Sequence, residues 1–142
     1  MKVLIVDDSM IVCKGLQQML INIAGIEIVG QAHNAQDAIT AISEQKPDLV
    51  ILDIRLPGKS GMEVLKDIRA KKLSIRVIML TNYPYPQYRK KCEELGADYF
   101  FDKVTEIEEV SVVIEKLAKN KPENMKKTMK YKCESDHEKR QE

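Results

Sequence analysis

Short, continuous apolar runs recur along the chain and predict buried strands. They occupy residues 3–6, 49–52, 77–80 and 99–102, the last closing on Asp102. Apolar runs of this length are typical of strands that are covered on both faces. Residues 26–32 are less uniformly apolar, which predicts a further strand nearer an edge of the sheet.

Between these runs, apolar residues recur at spacings of three and four, which predicts helices buried along one face. Ser9 and Asn34 are suitable N-caps for the first two helices, and Pro86 marks the start of the fourth. Thr105 and Glu108 predict a capping box for the fifth helix. The predicted buried faces are, in chain order, Val12, Leu16, Met19, Leu20 and Ile23; Ala35, Ala38, Ile39 and Ile42; Val64, Leu65 and Ile68; and Ile107, Val110, Val113 or Ile114, and Leu117.

Five strands alternating with five helices predict one α/β fold class. Parallel strands joined by right-handed helical crossovers form a doubly wound sheet with helices on both faces. We therefore expect a three-layer, flavodoxin-like (βα)5 domain over residues 1–120. Residues 121–142 are rich in lysine and lack apolar periodicity, so we predict a disordered basic tail there.

Composition and charge exclude several classes of function. The formal net charge is only +1 and no sustained basic patch is present, so we expect no nucleic-acid binding by this chain. No apolar run approaches the roughly 20 residues that cross a bilayer, so we expect no membrane insertion. Cys13, Cys92 and Cys133 are odd in number and widely spaced, which indicates reduced thiols and a cytoplasmic location.

Polar residues close the predicted strands and supply the candidate chemistry. Asp7 and Asp8 follow the first strand, Asp53 the third, Thr81 the fourth and Lys103 the fifth. Each alone has a simpler reading, as a helix cap, a turn residue, a strand end or a surface lysine. Because parallel strands place their carboxyl ends at one edge, all five are expected to converge. Three carboxylates with a hydroxyl and an ammonium indicate a magnesium-dependent phosphoryl site.

At these five positions the sequence resembles the receiver domains of two-component response regulators. The resemblance covers residues 1 to about 118 and includes the loop with Pro57 and Gly61, and Gly96-Ala97 before the fifth strand. It implies that the aspartate after the third strand is phosphorylated from a phosphohistidine or a small acyl phosphate. It also implies that the protein is not an enzyme with external substrates but catalyses its own phosphorylation and dephosphorylation.

The resemblance assigns a role to each site residue. Asp53 is the nucleophile, and Asp8, Asp53 and the backbone carbonyl of Arg55 bind Mg²⁺, with Asp7 acting through water; Mn²⁺ is expected to substitute. The side chains of Thr81 and Lys103 contact the phosphoryl oxygens. These roles come from the family pattern and not from the spacing of the residues.

The sequence departs from the family pattern at three positions. Val104 follows Lys103 where the family usually has a proline joined by a cis bond, so either a cis Lys103–Val104 bond or a rearranged loop is expected. Asn82 stands where alanine or glycine is usual. Phe100 occupies the position of a switching aromatic residue and lacks a hydroxyl group.

The resemblance also predicts an output surface formed by the fourth helix, the fifth strand and the fifth helix. Phosphorylation is expected to draw Thr81 toward the phosphate and let Phe100 turn inward. Tyr83, Tyr85 and Tyr88 are candidate partner contacts, because prolines interrupt regular structure there and tyrosine suits interfaces. Expected partners are a sensor histidine kinase or phosphotransfer protein, an unknown downstream protein, and a second copy in a phosphorylation-dependent homodimer.

Two alternative functions remain open from the sequence. The first is the receiver portion of a DNA-binding transcriptional regulator whose output domain is absent, since few residues follow Leu117. The second is a magnesium-dependent phosphohydrolase of the haloacid type. Those enzymes carry Asp-x-Asp after the first strand, whereas here the sequence is Asp7-Asp8-Ser9, which disfavours this class.

Overall fold

A five-stranded parallel sheet lies between two layers of helices in the computed structural model, which describes residues 1–120. The elements are, in chain order, β1 (Lys2–Val6), α1 (Met10–Leu20), β2 (Glu27–Ala32), α2 (Ala35–Gln45), β3 (Leu49–Leu52), α3 (Gly61–Ala70), β4 (Arg76–Thr81), α4 (Pro86–Glu94), β5 (Tyr99–Asp102) and α5 (Ile107–Lys119). The strand order is β2-β1-β3-β4-β5, which is that of the predicted doubly wound, flavodoxin-like fold. The predicted tail at residues 121–142 lies outside the described residues.

Alternating side chains of the strands build two separate apolar cores. Leu4 and Val6 of β1 face α2 and α3, whereas Val3 and Ile5 face α1 and α5. This alternation follows from the period of two in a strand and accounts for the continuous apolar runs in the sequence. The weaker pattern of β2 matches its position at the edge of the sheet, where most of its residues are only partly buried.

The predicted helix starts agree with the structure except at α5. Ser9 Oγ accepts a hydrogen bond from Val12 N at 3.2 Å, and Asn34 Oδ1 accepts one from Asp37 N at 2.7 Å. Pro86 is the first residue of α4, as predicted. Ser60 caps α3, which the sequence analysis did not identify.

The predicted capping box of α5 is wrong. Glu106 is the N-cap residue, and its Oε1 accepts a 2.9 Å hydrogen bond from the backbone N–H of Asp102. The Asp102 side chain accepts from Val104 N at 2.8 Å. These two bonds fold the β5–α5 turn on itself, so the N-cap lies one residue after Thr105 and the helix begins at Ile107.

Most of the predicted helix faces are buried, with one addition in α1. Leu16 and Leu20 are buried, and Cys13 lies beside them although it was not included in the predicted face. Both Val113 and Ile114 of α5 are buried, which resolves the alternative between them. The described thiols Cys13 and Cys92 are free and buried, and burial raises their pKa values to about 11 and about 12.

Within residues 1–120, none of the helices combines the length and the hydropathy required to span a membrane.

Candidate functional site

The ends of four strands carry the predicted site residues to one edge of the sheet. The ends of β1, β3, β4 and β5 are closed or followed by these residues: Asp7, Asp53, Thr81 and Lys103. Neighbouring strands run parallel and in register, so their carboxyl ends are level. Carboxylate oxygens of Asp7, Asp8 and Asp53 lie within 4.8 Å of one another. The expected convergence is therefore observed for the three carboxylates.

Lys103 forms a buried ion pair with two of these carboxylates. Its Nζ donates to Asp7 Oδ2 at 2.6 Å and to Asp53 Oδ2 at 2.9 Å. All three side chains are no more than 7% exposed, so water screens their charges little. Burial alone would lower the pKa of Lys103, but the hydrogen bonds and charges of Asp7 and Asp53 outweigh it and raise that pKa. The ammonium therefore stays protonated at neutral pH.

Asp53 has one carboxylate oxygen without a partner among the described residues. Its Oδ1 is buried and accepts no hydrogen bond, whereas Oδ2 is held by Lys103. Burial raises the pKa of Asp53 and the charge of Asp7 adds to the rise, while Lys103 opposes it. A buried charged oxygen without a partner is costly, so this atom indicates a place for a ligand.

The donor set fits a hard divalent cation. Three carboxylates against one ammonium leave negative charge uncompensated, and their oxygens are the ligand type that Mg²⁺ prefers. Asp8 is exposed and keeps one side of the cluster open to water. Asp7 differs, because its Oδ1 already accepts a 2.9 Å hydrogen bond from Ser9 N and its Oδ2 is held by Lys103.

Thr81 is fully buried beside this cluster and connects two neighbouring segments. Its Oγ1 accepts a hydrogen bond from Tyr83 N at 3.0 Å, and its carbonyl accepts one from Lys103 N at 2.8 Å. The hydroxyl thus lies at the start of the β4–α4 loop, and the backbone of the same residue positions Lys103.

The β3–α3 loop, residues 53–60, returns tightly against the backbone of Asp53. Gly61 N donates to the Ile54 carbonyl at 2.6 Å, and a Cβ at Gly61 would lie 1.8 Å from the carbonyl oxygen of Asp53. Only glycine fits this approach. The loop carries Arg55, the residue whose carbonyl was predicted as a metal ligand, directly beyond Asp53.

The sequence analysis missed a contact between the two loops that leave β3 and β4. The guanidinium carbon of Arg55 lies 4.1 Å from the centroid of the Tyr83 ring, a cation–π geometry. Arg55 is two residues beyond Asp53 and Tyr83 is two beyond Thr81, on adjacent strands. That matched offset is the signal from which the contact could have been predicted.

An open cleft of about 550 Å³ adjoins the site on the side of the β3–α3 loop. It extends from Asp8 to Tyr88 of α4 and has both apolar and basic walls. The lining residues are Asp8, Ile54, Arg55, Leu56, Pro57, Gly58, Lys59, Ser60, Met62 and Tyr88.

Phe100, which was expected to turn inward on phosphorylation, is buried at 1% exposure in this structure. Arg89 covers it, with the guanidinium carbon 4.6 Å from the ring centroid. The ring packs there because it faces the apolar core beneath α4. No peptide bond within residues 1–120 is cis, so the Lys103–Val104 alternative resolves to the rearranged loop.

The candidate partner tyrosines form a chain of tilted ring contacts. Ring centroids are 6.2 Å apart for Tyr83 and Tyr85 and 5.4 Å apart for Tyr85 and Tyr88. Tyr85 is 47% exposed and the other two are half-buried. Tyr99 and Phe101 lie instead in the core against α1 and α5, so the aromatic residues of β5 are structural.

Comparisons with known proteins identify a family whose sequences resemble this chain. Residues 3–115 match the family model of the response regulator receiver domain. Response regulator GacA of Pseudomonas aeruginosa is 32% identical over 109 residues, which are 77% of this chain and 51% of GacA. Sporulation initiation phosphotransferase F of Bacillus subtilis is 35% identical over 115 residues, which are 81% of this chain and 91% of that protein.

A solved structure gives the same relationship in three dimensions. The crystal structure of a DNA-binding response regulator of the LuxR family from Staphylococcus aureus superposes with a TM-score of 0.76 at 34% identity. The match covers 82% of this chain and 98% of that chain. The present chain spans about half the length of the GacA proteins that it matches.

Proposed function

We propose a function from the premise that this chain belongs to the response regulator receiver domain family: Asp53 accepts a phosphoryl group and the domain signals through protein contacts. The observation that carries the proposal is the buried Asp7–Lys103–Asp53 cluster, in which Asp53 Oδ1 has no partner among the described residues. The proposed donor is a phosphohistidine of a sensor histidine kinase or phosphotransfer protein.

The residues of the cluster divide the chemistry between them. A carboxylate oxygen of Asp53 attacks phosphorus, a P–O bond forms, and the P–N bond of the phosphohistidine breaks. The imidazole leaves and takes up a proton. Lys103 and the Thr81 hydroxyl are the groups proposed to contact the transferred phosphoryl oxygens, and charge-assisted hydrogen bonds of the kind that Lys103 would form are short and strong.

Asp8, Asp53 and the Arg55 carbonyl are the proposed ligands of Mg²⁺, or of Mn²⁺ in its place. Asp7 supports a water-mediated role, because both of its oxygens are already engaged by protein groups. When bound, the cation offsets the charge of an approaching phosphoryl group. Asp8 is exposed and leaves this position accessible from solvent.

We further propose that the domain is a phosphoacceptor that catalyses its own phosphorylation and dephosphorylation and is not otherwise an enzyme. The haloacid-type alternative is not pursued, because the candidate nucleophile follows β3 and residues 3–115 match the receiver family. A cytoplasmic location is proposed on the free thiols of Cys13 and Cys92, since unpaired cysteines are typical of a reducing compartment.

The proposal has two forms, which differ in whether the whole protein contains an output domain besides the receiver domain. Coverage of 91% of phosphotransferase F supports a single-domain regulator, whereas coverage of 51% of GacA supports a receiver that is joined to an output domain. Extending the reading frame beyond residue 142 decides between them. In either form the downstream partner, or a phosphorylation-dependent homodimer, is expected to read the α4–β5–α5 face and the tyrosines at its border.

Incubation with acetyl phosphate and Mg²⁺ tests the phosphoacceptor. Wild type is expected to gain about 80 Da, the mass of one phosphoryl group added to a side chain, and Asp53→Asn is expected to gain none. Circular dichroism of the variant controls for folding. Stoichiometric modification of Asp53→Asn at another residue would contradict the assignment, and an unmodified wild type would contradict the function.

A further inference from the structure

The turn between β5 and α5 carries Lys103. The turn covers residues 102–106, and Lys103 is the second of them. Its backbone N–H donates to the Thr81 carbonyl at 2.8 Å, so one side of the turn is attached to β4. Its side chain leaves the turn to reach Asp7 and Asp53. The backbone of this turn therefore sets where the ammonium group can lie.

Glu106 holds the opposite side of the turn through two hydrogen bonds to one residue. Because successive N–H groups of a strand point to opposite sides, Asp102 N faces away from β4, toward the open edge of the sheet. There it donates to Glu106 Oε1 at 2.9 Å, and Glu106 N donates to the Asp102 carbonyl at 2.8 Å. Glu106 thus satisfies both backbone groups of Asp102, as a further strand would.

The Asp102 side chain closes the remainder of the turn. Its Oδ1 accepts a hydrogen bond from Val104 N at 2.8 Å, directly beyond Lys103. The residues on both sides of Lys103 therefore donate their backbone N–H groups to carboxylates of the same turn. Hydrogen bonds to carboxylates are stronger than those between neutral groups, so the pair restrains the backbone that carries the lysine. We call these two bonds the Asp102–Glu106 brace.

The residue at position 104 gives the brace a purpose. A proline there would have a fixed φ and no N–H group to donate to Asp102. Valine keeps the N–H group but leaves φ less restricted, and the Val104 side chain is 76% exposed, so packing restrains it little. The brace thus restrains with hydrogen bonds a backbone that a proline ring would restrain covalently.

We propose that Asp102 and Glu106 are positioning residues, which hold the Lys103 backbone so that its ammonium meets the phosphoryl group during transfer to Asp53. The inference rests on the proposed function. With acetyl phosphate as the donor, an Asp53 oxygen bonds to phosphorus, the bond from phosphorus to the acetate oxygen breaks, and acetate leaves. The catalysis of such a transfer depends on the positions of the charged groups, so a displaced ammonium is expected to slow it.

The main test measures phosphorylation by acetyl phosphate in saturating Mg²⁺, followed by intact mass at a temperature well below the melting of every variant. Glu106→Ala removes the acceptor of Asp102 N and is expected to slow the transfer about tenfold, within the roughly hundredfold that a displacement of about 1 Å can cost. Glu106→Gln keeps an acceptor oxygen and is expected to match wild type. Asp102→Ala and Asp102→Asn are expected to differ in the same way.

A third acidic residue controls for charge. Glu108 is exposed on the first turn of α5, and Glu108→Ala is expected to match wild type. If Glu108→Ala slowed the transfer as much as Glu106→Ala, or Glu106→Gln were as slow as Glu106→Ala, the charge and not the hydrogen bond would be responsible. Either result would overturn the proposal, as would a Glu106→Ala rate equal to that of wild type.

Magnesium binding separates a displaced lysine from a damaged site. The proposed ligands of the ion follow β1 and β3 and lie outside the turn. In calorimetric titrations with Mg²⁺ alone, Glu106→Ala is therefore expected to bind the ion no more weakly than wild type. A dissociation constant that rises in parallel with the loss of rate would show a general disturbance of the site and would overturn the positioning role.

Amide hydrogen exchange tests the brace without phosphorylation. The Asp102 amide is expected to exchange faster in Glu106→Ala than in Glu106→Gln, and the Val104 amide faster in Asp102→Ala than in Asp102→Asn. Unchanged exchange would count against the brace alone. A wild type that takes up no phosphate would instead contradict the proposed function, and the positioning role with it, even if the exchange rates supported the brace.

Discussion

The sheet carries a charged cluster at each end, and the two clusters differ in how fully their groups are paired. At the amino ends of β4 and β5, the Arg69 guanidinium donates to the Gly96 and Ile75 carbonyls and to Asp98 Oδ2. Asp98 Oδ2 also accepts from Val77 N at 2.9 Å. This cluster joins α3, β4 and β5 through protein groups alone.

At the carboxyl ends the pairing is incomplete. Lys103 serves two carboxylates, Asp8 adds a third negative charge, and Asp53 Oδ1 lacks a partner among the residues described. Both ends bury charge, so burial alone does not distinguish them. The excess negative charge distinguishes the carboxyl end as the one suited to a cationic ligand.

The largest expected effect is at the amino end. Asp98→Ala removes the acceptor that Arg69 and Val77 N share and leaves a buried amide unpaired. We expect the free energy of unfolding to fall by about 3 kcal/mol, measured by urea denaturation. Asp67→Ala, which breaks the more exposed pair with Lys71, is the control and is expected to change it by less than about 1 kcal/mol. Equal effects would show that the amino-end cluster is not structural.

Magnesium should act only at the carboxyl end. Because the ion binds the folded state and not the unfolded chain, at 100 times its dissociation constant it is expected to add about 2.7 kcal/mol to the free energy of unfolding. Thermal melts in Mg²⁺ and in EDTA measure this. Asp98→Ala should respond to Mg²⁺ as wild type does, whereas Asp8→Asn should respond less. A response that survives Asp8→Asn undiminished would place the ion elsewhere.

A smaller increase in the free energy of unfolding is expected when Asp53 is neutralised. Burial raises the pKa of Asp53 above its ordinary value of 3.8, so its ionised form destabilises the fold at neutral pH. In EDTA, the free energy of unfolding of Asp53→Asn is expected to be higher than that of wild type, and the difference to be smaller than the two effects above.

The pH dependence of that difference checks its cause. A raised folded-state pKa costs stability only where the carboxylate is ionised, so the advantage of Asp53→Asn should be complete above the folded-state pKa. It should vanish as the pH falls below the unfolded value of 3.8. An advantage that persists at that pH would have to come from packing and not from charge.

The backbone of this site could be predicted from sequence because two rules suffice for it. Continuous apolar runs mark strands covered on both faces, and right-handed crossovers align their carboxyl ends. The positions of Asp53 and Lys103 follow from those rules, although 50 residues separate them in the chain. The predicted edge position of β2 follows from the same reasoning.

Side-chain partners that depend on loop paths could not be predicted in this way. The Glu106 cap replaces the predicted capping box because the β5–α5 turn brings its carboxylate back to Asp102 N. The buried position of Phe100 depends on how α4 lies over β5, and no periodicity encodes that.

The close contact between Gly61 and the Asp53 backbone fixes the distance between the two ends of the β3–α3 loop. The first residue of α3 lies so close to the Asp53 carbonyl that a single methyl group would displace one or the other. A displacement of helix α3 is therefore expected to displace the backbone of residue 53 as well. A protein that pushed on the outer face of α3 would shift the carboxylate against Lys103 without touching the cluster itself.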